Sequence, residues 1–329
     1  MNSQREKKTR ISRTALIGLL MALLLAMFSF GLAACGDDTE ETTTSSSPET
    51  TAPAATDTTA PPSGDLGEVN IGWIAWDECI ATTYMWKRIL EDEGYKVTLT
   101  QLDAAPVYAG LAAGDLDFFT DAWLPVTHED YWNEFGDQIE DINVWYDKGT
   151  LELTVPAYMD DVNSIADLKG KADLFGGQIV GIEPGAGLTR LTREAVMPGY
   201  ELDGYELLEG STPAMLAELK RAYDQEQPIV VTLWRPHWIY GALELKDLED
   251  PQGLFGEGDK IHLLARLGFS EDYPEVATWL SNFKMDDDAL ASLSLFVIDE
   301  YGAGREEEAV EAWLSEPGNQ DMVNGWLGK

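Results

Sequence analysis

Short apolar runs alternate with amphipathic stretches over residues 69–120, and turn residues separate them. The predicted strands are residues 69–75, 96–102 and 116–120, and the predicted helices between them are residues 81–93 and 106–113. Runs rich in β-branched and aromatic residues are typical of strands, and apolar positions three or four residues apart are typical of helices. A βαβαβ order predicts a parallel, doubly wound sheet.

The same alternation returns later in the chain. The predicted strands there are residues 151–158, 178–182, 205–208, 229–233 and 261–266, and the predicted helices are residues 187–196 and 212–223. Ser164 is a predicted N-cap of a further helix, and residues 273–327 are predicted to be helical in four pieces.

Two α/β units joined by an outgoing and a returning strand predict a body of two lobes. Residues 151–158 lead out of the first unit, and residues 261–268 lead back. We therefore expect lobe I to comprise residues 69–155 and 264–329, and lobe II to comprise residues 156–263. The cleft between such lobes is the expected ligand site.

The first 68 residues have a different composition. A basic start, an apolar run over residues 15–32 and the sequence Leu-Ala-Ala before Cys35 predict a lipoprotein signal peptide over residues 1–34, with Cys35 as the lipidated residue. The alternative is an uncleaved membrane anchor, because the run is nearly long enough to span a bilayer. The rest of residues 35–68 is almost free of large apolar side chains, which predicts a disordered tether.

Charge restricts the partners. The formal net charge is −37, with 22 basic and 59 acidic residues, and loss of residues 1–34 would remove five basic and one acidic residue to give 17 − 58 = −41. Such acidity argues against nucleic acid as a partner, because phosphate binding needs clustered Lys and Arg. Cys79 is the only cysteine after Cys35, so the mature chain has no partner for a disulfide within it.

Motifs for catalysis are weak. The chain has three histidines and lacks a Gly-x-Ser-x-Gly elbow, a His-Glu-x-x-His helix and paired cysteines. We therefore expect no enzyme activity, no metal and no cofactor. Residues 181–187 (Gly-Ile-Glu-Pro-Gly-Ala-Gly) do not match a phosphate loop, because a proline interrupts them and no Lys-Ser/Thr pair follows.

That Gly-rich segment still lies between a predicted strand and a predicted helix. The first amides of a helix have no acceptor within the helix and carry a partial positive charge, which suits a carboxylate. The alternative is an ordinary Gly-rich turn without a ligand.

Three of the eleven tryptophans stand in motifs rich in turn residues, directly after apolar runs: Trp76, Trp123 and Trp234. A quaternary ammonium group has no N–H to donate, so proteins bind it between aromatic faces. The alternative for any one of them is core packing. The tryptophans assigned to the core are Trp86, Trp132, Trp145, Trp279, Trp313 and Trp326.

Other polar residues near these motifs are ambiguous. His128 and His237 are either ligand contacts or surface and capping residues, and His262 is expected to be structural. Asp77 and Glu183 could balance a cation, but loop capping is the expected role of both.

Four motifs in this order resemble the glycine betaine/proline betaine-binding lipoproteins of osmoprotectant ABC importers. They are Trp-Asp at residues 76–77, Asp-Ala-Trp-Leu-Pro-x-Thr-His at residues 121–128, the Gly-rich segment, and Trp-x-Pro-His-Trp at residues 234–238. The resemblance implies a two-lobed, type II periplasmic-binding-protein-like fold with the ligand between the lobes. It also implies delivery of the ligand to an ABC transporter permease.

The resemblance also implies roles for single residues. Trp76, Trp123 and Trp234 would form a prism around the quaternary ammonium group. The ligand carboxylate would be bound by the backbone amides of Gly187 and Leu188 and by His128. Val126 and Leu188 depart from the commoner residues of these motifs, with little consequence for Leu188 because its amide makes the contact.

The sequence thus predicts a monomeric, extracytoplasmic binding protein, lipid-anchored to the outer face of the cell membrane. One alternative is a binding protein for choline or carnitine, although a pure choline site would not need the carboxylate loop. Another is an extracytoplasmic carbohydrate-active enzyme with tryptophan platforms, which would need a pair of carboxylates across a groove.

Overall fold

The computed structural model describes residues 66–329. The predicted signal peptide, the lipidated Cys35 and all but the last few residues of the predicted tether lie outside the described residues. Among residues 66–329, no helix is both long and apolar enough to cross a membrane.

Nine strands form one continuous path of pairing, in the order β2-β1-β3-β9-β4-β7-β5-β6, with β8 on β4. The strands are β1 (Glu68–Trp73), β2 (Lys96–Gln101), β3 (Phe118–Leu124), β4 (Ile139–Pro156), β5 (Gln178–Val180), β6 (Glu206–Leu208), β7 (Val231–Arg235), β8 (Leu245–Asp247) and β9 (Asp259–Arg266).

Both predicted parallel units are present. Strand β1 pairs in parallel with β2 and β3, and β5 pairs in parallel with β6 and β7. Strand β9 runs antiparallel to β3 and β4, and β7 runs antiparallel to β4. The predicted doubly wound arrangement is therefore confirmed within each unit, and antiparallel strands join the two.

The long strand β4 connects the two units. It pairs with β9 as far as Gly149 opposite Asp259, and with β7 from Thr150 onward. We call the strands up to Gly149 of β4 the first sheet segment (β2, β1, β3, β9) and those from Thr150 the second sheet segment (β7, β5, β6, β8). The lobe boundaries at residues 155 and 263 stay a prediction. Strand β4 changes its pairing partner from β9 to β7 between Gly149 and Thr150.

Strand β4 begins well before the strand predicted in this part of the chain. Only residues 151–158 were expected to be extended, whereas the strand starts at Ile139 and ends at Pro156. Its register with β9 is irregular at three places, between Asp141 and Asn143, between Val144 and Tyr146, and between Tyr146 and Gly149. Such bulges break the two-residue alternation by which a strand is recognised.

Twelve α-helices cover the sheet segments within the described residues. They are α1 (Asp77–Asp92), α2 (Ala104–Ala113), α3 (Glu129–Phe135), α4 (Gly187–Leu191), α5 (Met197–Gly199), α6 (Thr212–Asp224), α7 (Ile239–Ala242), α8 (Phe269–Asp272), α9 (Pro274–Asn282), α10 (Asp287–Ser294), α11 (Glu306–Leu314) and α12 (Pro317–Leu327). Helices α9 to α12 are the four pieces predicted for residues 273–327.

Two predicted helices are shorter than expected. Ser164 does cap a helical turn, and its side chain and that of Asp167 form a reciprocal capping box, but the turn is a 3₁₀ helix of four residues, Ile165–Leu168. The helix predicted over residues 187–196 is α-helical only to Leu191 and continues as a π-helical turn, Thr192–Val196.

Aromatic packing between β4 and the C-terminal helices explains several tryptophans. The ring of Phe283 stacks on Trp145 at 4.9 Å between centroids and meets Trp86 and Trp326 edge-on at 5.4 and 4.9 Å. Trp313 is also fully buried and Trp279 nearly so. The core assignment holds for these five tryptophans, whereas Trp132 is only half-buried.

Candidate functional site

The three tryptophans of the motifs arise from different elements. Trp76 is the N-cap residue of α1, whereas Trp123 and Trp234 lie inside β3 and β7 rather than after them. Strand β3 continues to Leu124, because Thr120 and Asp121, the polar residues at which the predicted strand ends, are buried within it. All three indoles are at most 5% exposed.

These tryptophans line a cavity between the two sheet segments. The cavity also contains the three residues expected to bind a carboxylate. Its lining residues are Trp76, Glu78, Trp123, Thr127, His128, Leu151, Ile182, Ala186, Gly187, Leu188 and Trp234. The structure therefore brings all six predicted ligand residues to one place.

His128 is held in one orientation by the turn that follows β3. The backbone amide of His128 donates to the carbonyl of Trp123 at 2.9 Å, and the amide of Trp123 donates to Nδ1 of His128 at 3.1 Å. The hydroxyl of Tyr108 also lies 3.1 Å from Nδ1. Because an amide can only donate, Nδ1 is an acceptor and carries no proton.

The charge state of His128 follows from its burial. Burial, with a smaller contribution from Arg190, lowers the pKa of the imidazole from 6.5 to about 3. The ring is therefore neutral near pH 7, and its single proton is on Nε2. Nε2 has no hydrogen-bond partner within residues 66–329, so the cavity wall includes one unused N–H donor.

Two more donors come from the start of α4. Its N-cap is Ala186, and the amides of Gly187 and Leu188 precede the first residue that can bond back within the helix. In the described part of the chain, neither amide has a backbone or side-chain acceptor. Together with Nε2 of His128, they give the cavity three N–H donors and no positively charged side chain among its lining residues.

An anchored loop places Thr127 and His128 against α4. The carboxylate of Asp259, at the start of β9, accepts the amides of Val126 and Thr127 at 2.6 and 3.0 Å and also the Thr127 hydroxyl. Asp259 is 5% exposed, and charge-assisted bonds of this kind are stronger than neutral ones. The loop is thus fixed to the strand that leads back into the first sheet segment.

The two sides of the cavity touch directly. A Cβ atom on Gly187 would lie 2.0 Å from the carbonyl oxygen of Thr127. Close by, the Tyr131 hydroxyl donates to the carbonyl of Gly185 at 2.6 Å, and Arg190 pairs with Asp130 at 3.1 Å. These contacts enclose the cavity, so the conformation is a closed one.

Asp77 makes a second contact between the two sheet segments, beside the cavity, with His237 and Trp238. Asp77, the first residue of α1, accepts the indole N–H of Trp238, and Nε2 of His237 lies 3.4 Å from the same carboxylate. Burial raises the pKa of Asp77 to about 6 and lowers that of His237 to about 3. Asp77 therefore bridges the two sheet segments rather than capping its own loop.

The remaining polar candidates are structural. The Glu183 carboxylate accepts the amide and the hydroxyl of Thr212 at 2.8 and 3.0 Å, which caps α6 as expected. His262 lies away from the cavity and pairs with Asp141 at 2.9 Å. Cys79 is a buried free thiol whose pKa is raised by burial and by Asp121, which makes it unreactive.

Sequence reasoning missed five lining residues, and Glu78 is the most informative of them. Its carboxyl is 3% exposed, and its Oε2 atom has no hydrogen-bond partner within residues 66–329. Burial, followed by repulsion from Asp121, raises its pKa well above the usual range. The only available signal was its position two residues after Trp76, on the first turn of the same helix. Thr127, Leu151, Ile182 and Ala186 complete the wall.

Comparison with known proteins adds to the geometry. A family model described as the substrate binding domain of ABC-type glycine betaine transport system matches residues 67–316. The glycine betaine/carnitine transport binding protein GbuC of Listeria monocytogenes is 36% identical over 168 residues, covering 50% of this chain and 54% of that protein. The alignment thus spans about half of that relative's length.

Two solved structures are similar over most of the described chain. Lactococcal OpuAC, closed and complexed with glycine betaine, has a TM-score of 0.72 and 30% identity, covering 79% of this chain and 99% of that one. An ABC-transporter choline binding protein in complex with choline also has a TM-score of 0.72, with 27% identity, covering 79% and 91%. The predicted two-lobed, type II periplasmic-binding-protein fold is confirmed by these likenesses.

The family match covers well over half of the chain and includes all four motifs around the cavity. The chain belongs to the family of substrate-binding domains of ABC-type glycine betaine transport systems.

Proposed function

We propose that the protein captures glycine betaine, or the similar proline betaine, in the closed cavity and delivers it to an ABC transporter permease. The observation that carries this proposal is the joint presence of three indoles and three N–H donors on the wall of one cavity. Trp76, Trp123 and Trp234 provide faces for the quaternary ammonium group. The N–H groups of His128, Gly187 and Leu188 provide donors for the carboxylate.

The energetics fit a small zwitterion. Each desolvated cation–π contact contributes up to about 2 kcal/mol, and each hydrogen bond to a charged group contributes roughly 1.5–3 kcal/mol. Association costs several kcal/mol, so a dissociation constant between about 1 μM and about 1 mM is expected. No bond of the ligand changes in this function.

A second candidate ligand is choline, or carnitine. The Glu78 carboxyl favours choline, a cation, when it is ionised, because no positively charged side chain lines the cavity; carnitine is a zwitterion like glycine betaine. A carbohydrate-active enzyme is less well supported, since Glu78 is the single carboxyl among the lining residues and glycoside hydrolysis generally requires two.

The cellular setting completes the proposal. The protein works outside the cytoplasm as a monomer, attached through a lipid on Cys35 to the outer face of the cell membrane. This part rests on the sequence of residues 1–68 and on the transport role of the family.

Replacement of Trp123 or Trp234 by alanine is expected to weaken glycine betaine binding by roughly tenfold to thirtyfold, because each removes one aromatic face of the cage. Isothermal titration calorimetry with glycine betaine, proline betaine, choline and carnitine measures this directly. Trp132→Ala is the matched control, since this half-buried tryptophan lies outside the cavity. Equal affinities in all three variants and the wild type would rule out the cage, and no binding of either betaine would rule out the function.

Gly187→Ala is expected to weaken ligand binding by at least about tenfold, because its Cβ would lie 2.0 Å from the Thr127 carbonyl oxygen that faces the start of α4 across the cavity. The melting temperature without ligand should change much less than the affinity. Gly185→Ala is the control, since its Cβ would meet no atom closer than 3.9 Å. Wild-type affinity in Gly187→Ala would contradict the proposed closure.

Nitrogen NMR of the histidine rings tests the carboxylate donor. His128 should remain the neutral Nε2–H tautomer from about pH 5 to about pH 8, because burial lowers its pKa to about 3. Its proton should shift strongly when glycine betaine binds. A ring that titrates near pH 6, or a proton on Nδ1, would contradict the assigned role.

A further inference from the structure

Glu78 is the one carboxyl among the residues that line the cavity, and the capture of a betaine proposed above assigns it no contact with the ligand. It lies two residues after Trp76, on the first turn of α1, and is 3% exposed. Its Oε2 atom is buried without a hydrogen-bond partner in the described part of the chain. An ionised carboxylate in such a place needs a counter-charge, and a protonated one does not.

The groups around Glu78 do not supply that counter-charge. The charged side chains that act on it are Asp121 of β3 and Asp77 of α1, which are both acidic, and the Cys79 thiol is uncharged. The backbone amide of Glu78 itself, at the start of α1, favours the ionised form but carries no full charge.

The remaining neighbours are uncharged as well. His128 and His237, which approach from the turns after β3 and β7, are held neutral by burial. Helix α10 faces the neighbouring pocket with Leu290, Ala291 and Ser294. Among the residues that line the cavity only Glu78 can carry a charge near pH 7, so the ligand-free lining is electrically neutral when Glu78 is protonated.

Ligand charge changes this balance in two different ways. A zwitterion has no net charge, so a cavity that holds it stays neutral if Glu78 keeps its proton. A cation such as choline carries one positive charge, so a cavity that holds it is neutral if Glu78 loses its proton. Any other pairing buries a net charge, which is unfavourable in a desolvated cavity.

We propose that Glu78 makes the cavity sort quaternary ammonium ligands by net charge, binding zwitterions with its carboxyl protonated and cations with its carboxyl ionised. This inference rests on the proposed function, because it assigns a second role within the same site. The proton balance is simple. When a cation binds, the O–H bond of Glu78 breaks, the electron pair stays on the carboxylate, and the proton leaves to the solvent.

The two ligands should therefore respond oppositely to pH. Choline affinity should rise with pH, by up to about tenfold per unit, between the pKa of Glu78 in the choline complex and that in the free protein. Glycine betaine affinity should stay level over that range and fall once the pH exceeds the pKa of Glu78 in the free protein. The ratio of choline to glycine betaine affinity should thus increase with pH.

Calorimetric titrations of the wild-type protein with choline and with glycine betaine, between about pH 5.5 and about pH 8.5, test this coupling. Each titration is run in phosphate and in Tris, whose different ionisation enthalpies reveal protons exchanged on binding. We expect release of up to about one proton with choline and essentially none with glycine betaine. Choline binding without proton release, or no choline binding at about pH 8.5, would overturn the proposal.

Glu78→Gln tests whether the proton released on choline binding comes from Glu78, because glutamine imitates the protonated carboxyl but cannot ionise. The substitution should lower the ratio of choline to glycine betaine affinity by at least about tenfold at about pH 8, and lose the choline proton release. Glu134→Gln, at an exposed glutamate away from the cavity, should behave as wild type.

The outcomes separate the two proposals. If Glu78→Gln leaves the choline to glycine betaine ratio unchanged while the wild type binds glycine betaine, the sorting role is wrong and the binding function stands. If the wild type binds neither ligand at any pH, both proposals are wrong.

Discussion

The close approach of the Gly187 backbone to the Thr127 carbonyl is the constraint on which the site depends. A Cβ at Gly187 would be 2.0 Å from that oxygen, so only glycine lets the start of α4 reach the loop after β3. That approach places the start of α4 and His128 on the wall of the same cavity. Asp259 fixes the opposite side of the contact by binding Val126 and Thr127. A solute that bridges both sides would thus favour the closed form.

Burial sets the electrostatics of the enclosed space. It keeps His128 and His237 neutral and raises the pKa values of Asp77, Glu78 and Asp121, the last to about 7. The cavity therefore presents neutral donors, aromatic faces and a carboxyl that resists ionisation, although the whole chain has a formal charge of −37. Selectivity is accordingly a local property of the cavity, and the acidic surface plays no specific part in the account.

Much of the fold and the site could be predicted because local signals and tertiary structure agree there. The two parallel units, the capping by Ser164 and the four C-terminal helices follow from periodicity and turn residues. Strand β4 could not be predicted in full, because bulges against β9 erase its alternation. Glu78 was missed for a different reason: a carboxylate on the first turn of a helix is common, and only the fold shows that this one faces a cavity.

The central claim is that the indoles receive the ammonium end of a betaine and the donors of α4 and His128 receive its carboxylate. A crystal structure of the complex with glycine betaine tests this most directly. The account predicts the trimethylammonium group among Trp76, Trp123 and Trp234, with carboxylate oxygens within about 3.2 Å of His128 Nε2 and of the Gly187 and Leu188 amides. A ligand bound in the reverse orientation, or outside this cavity, would contradict it.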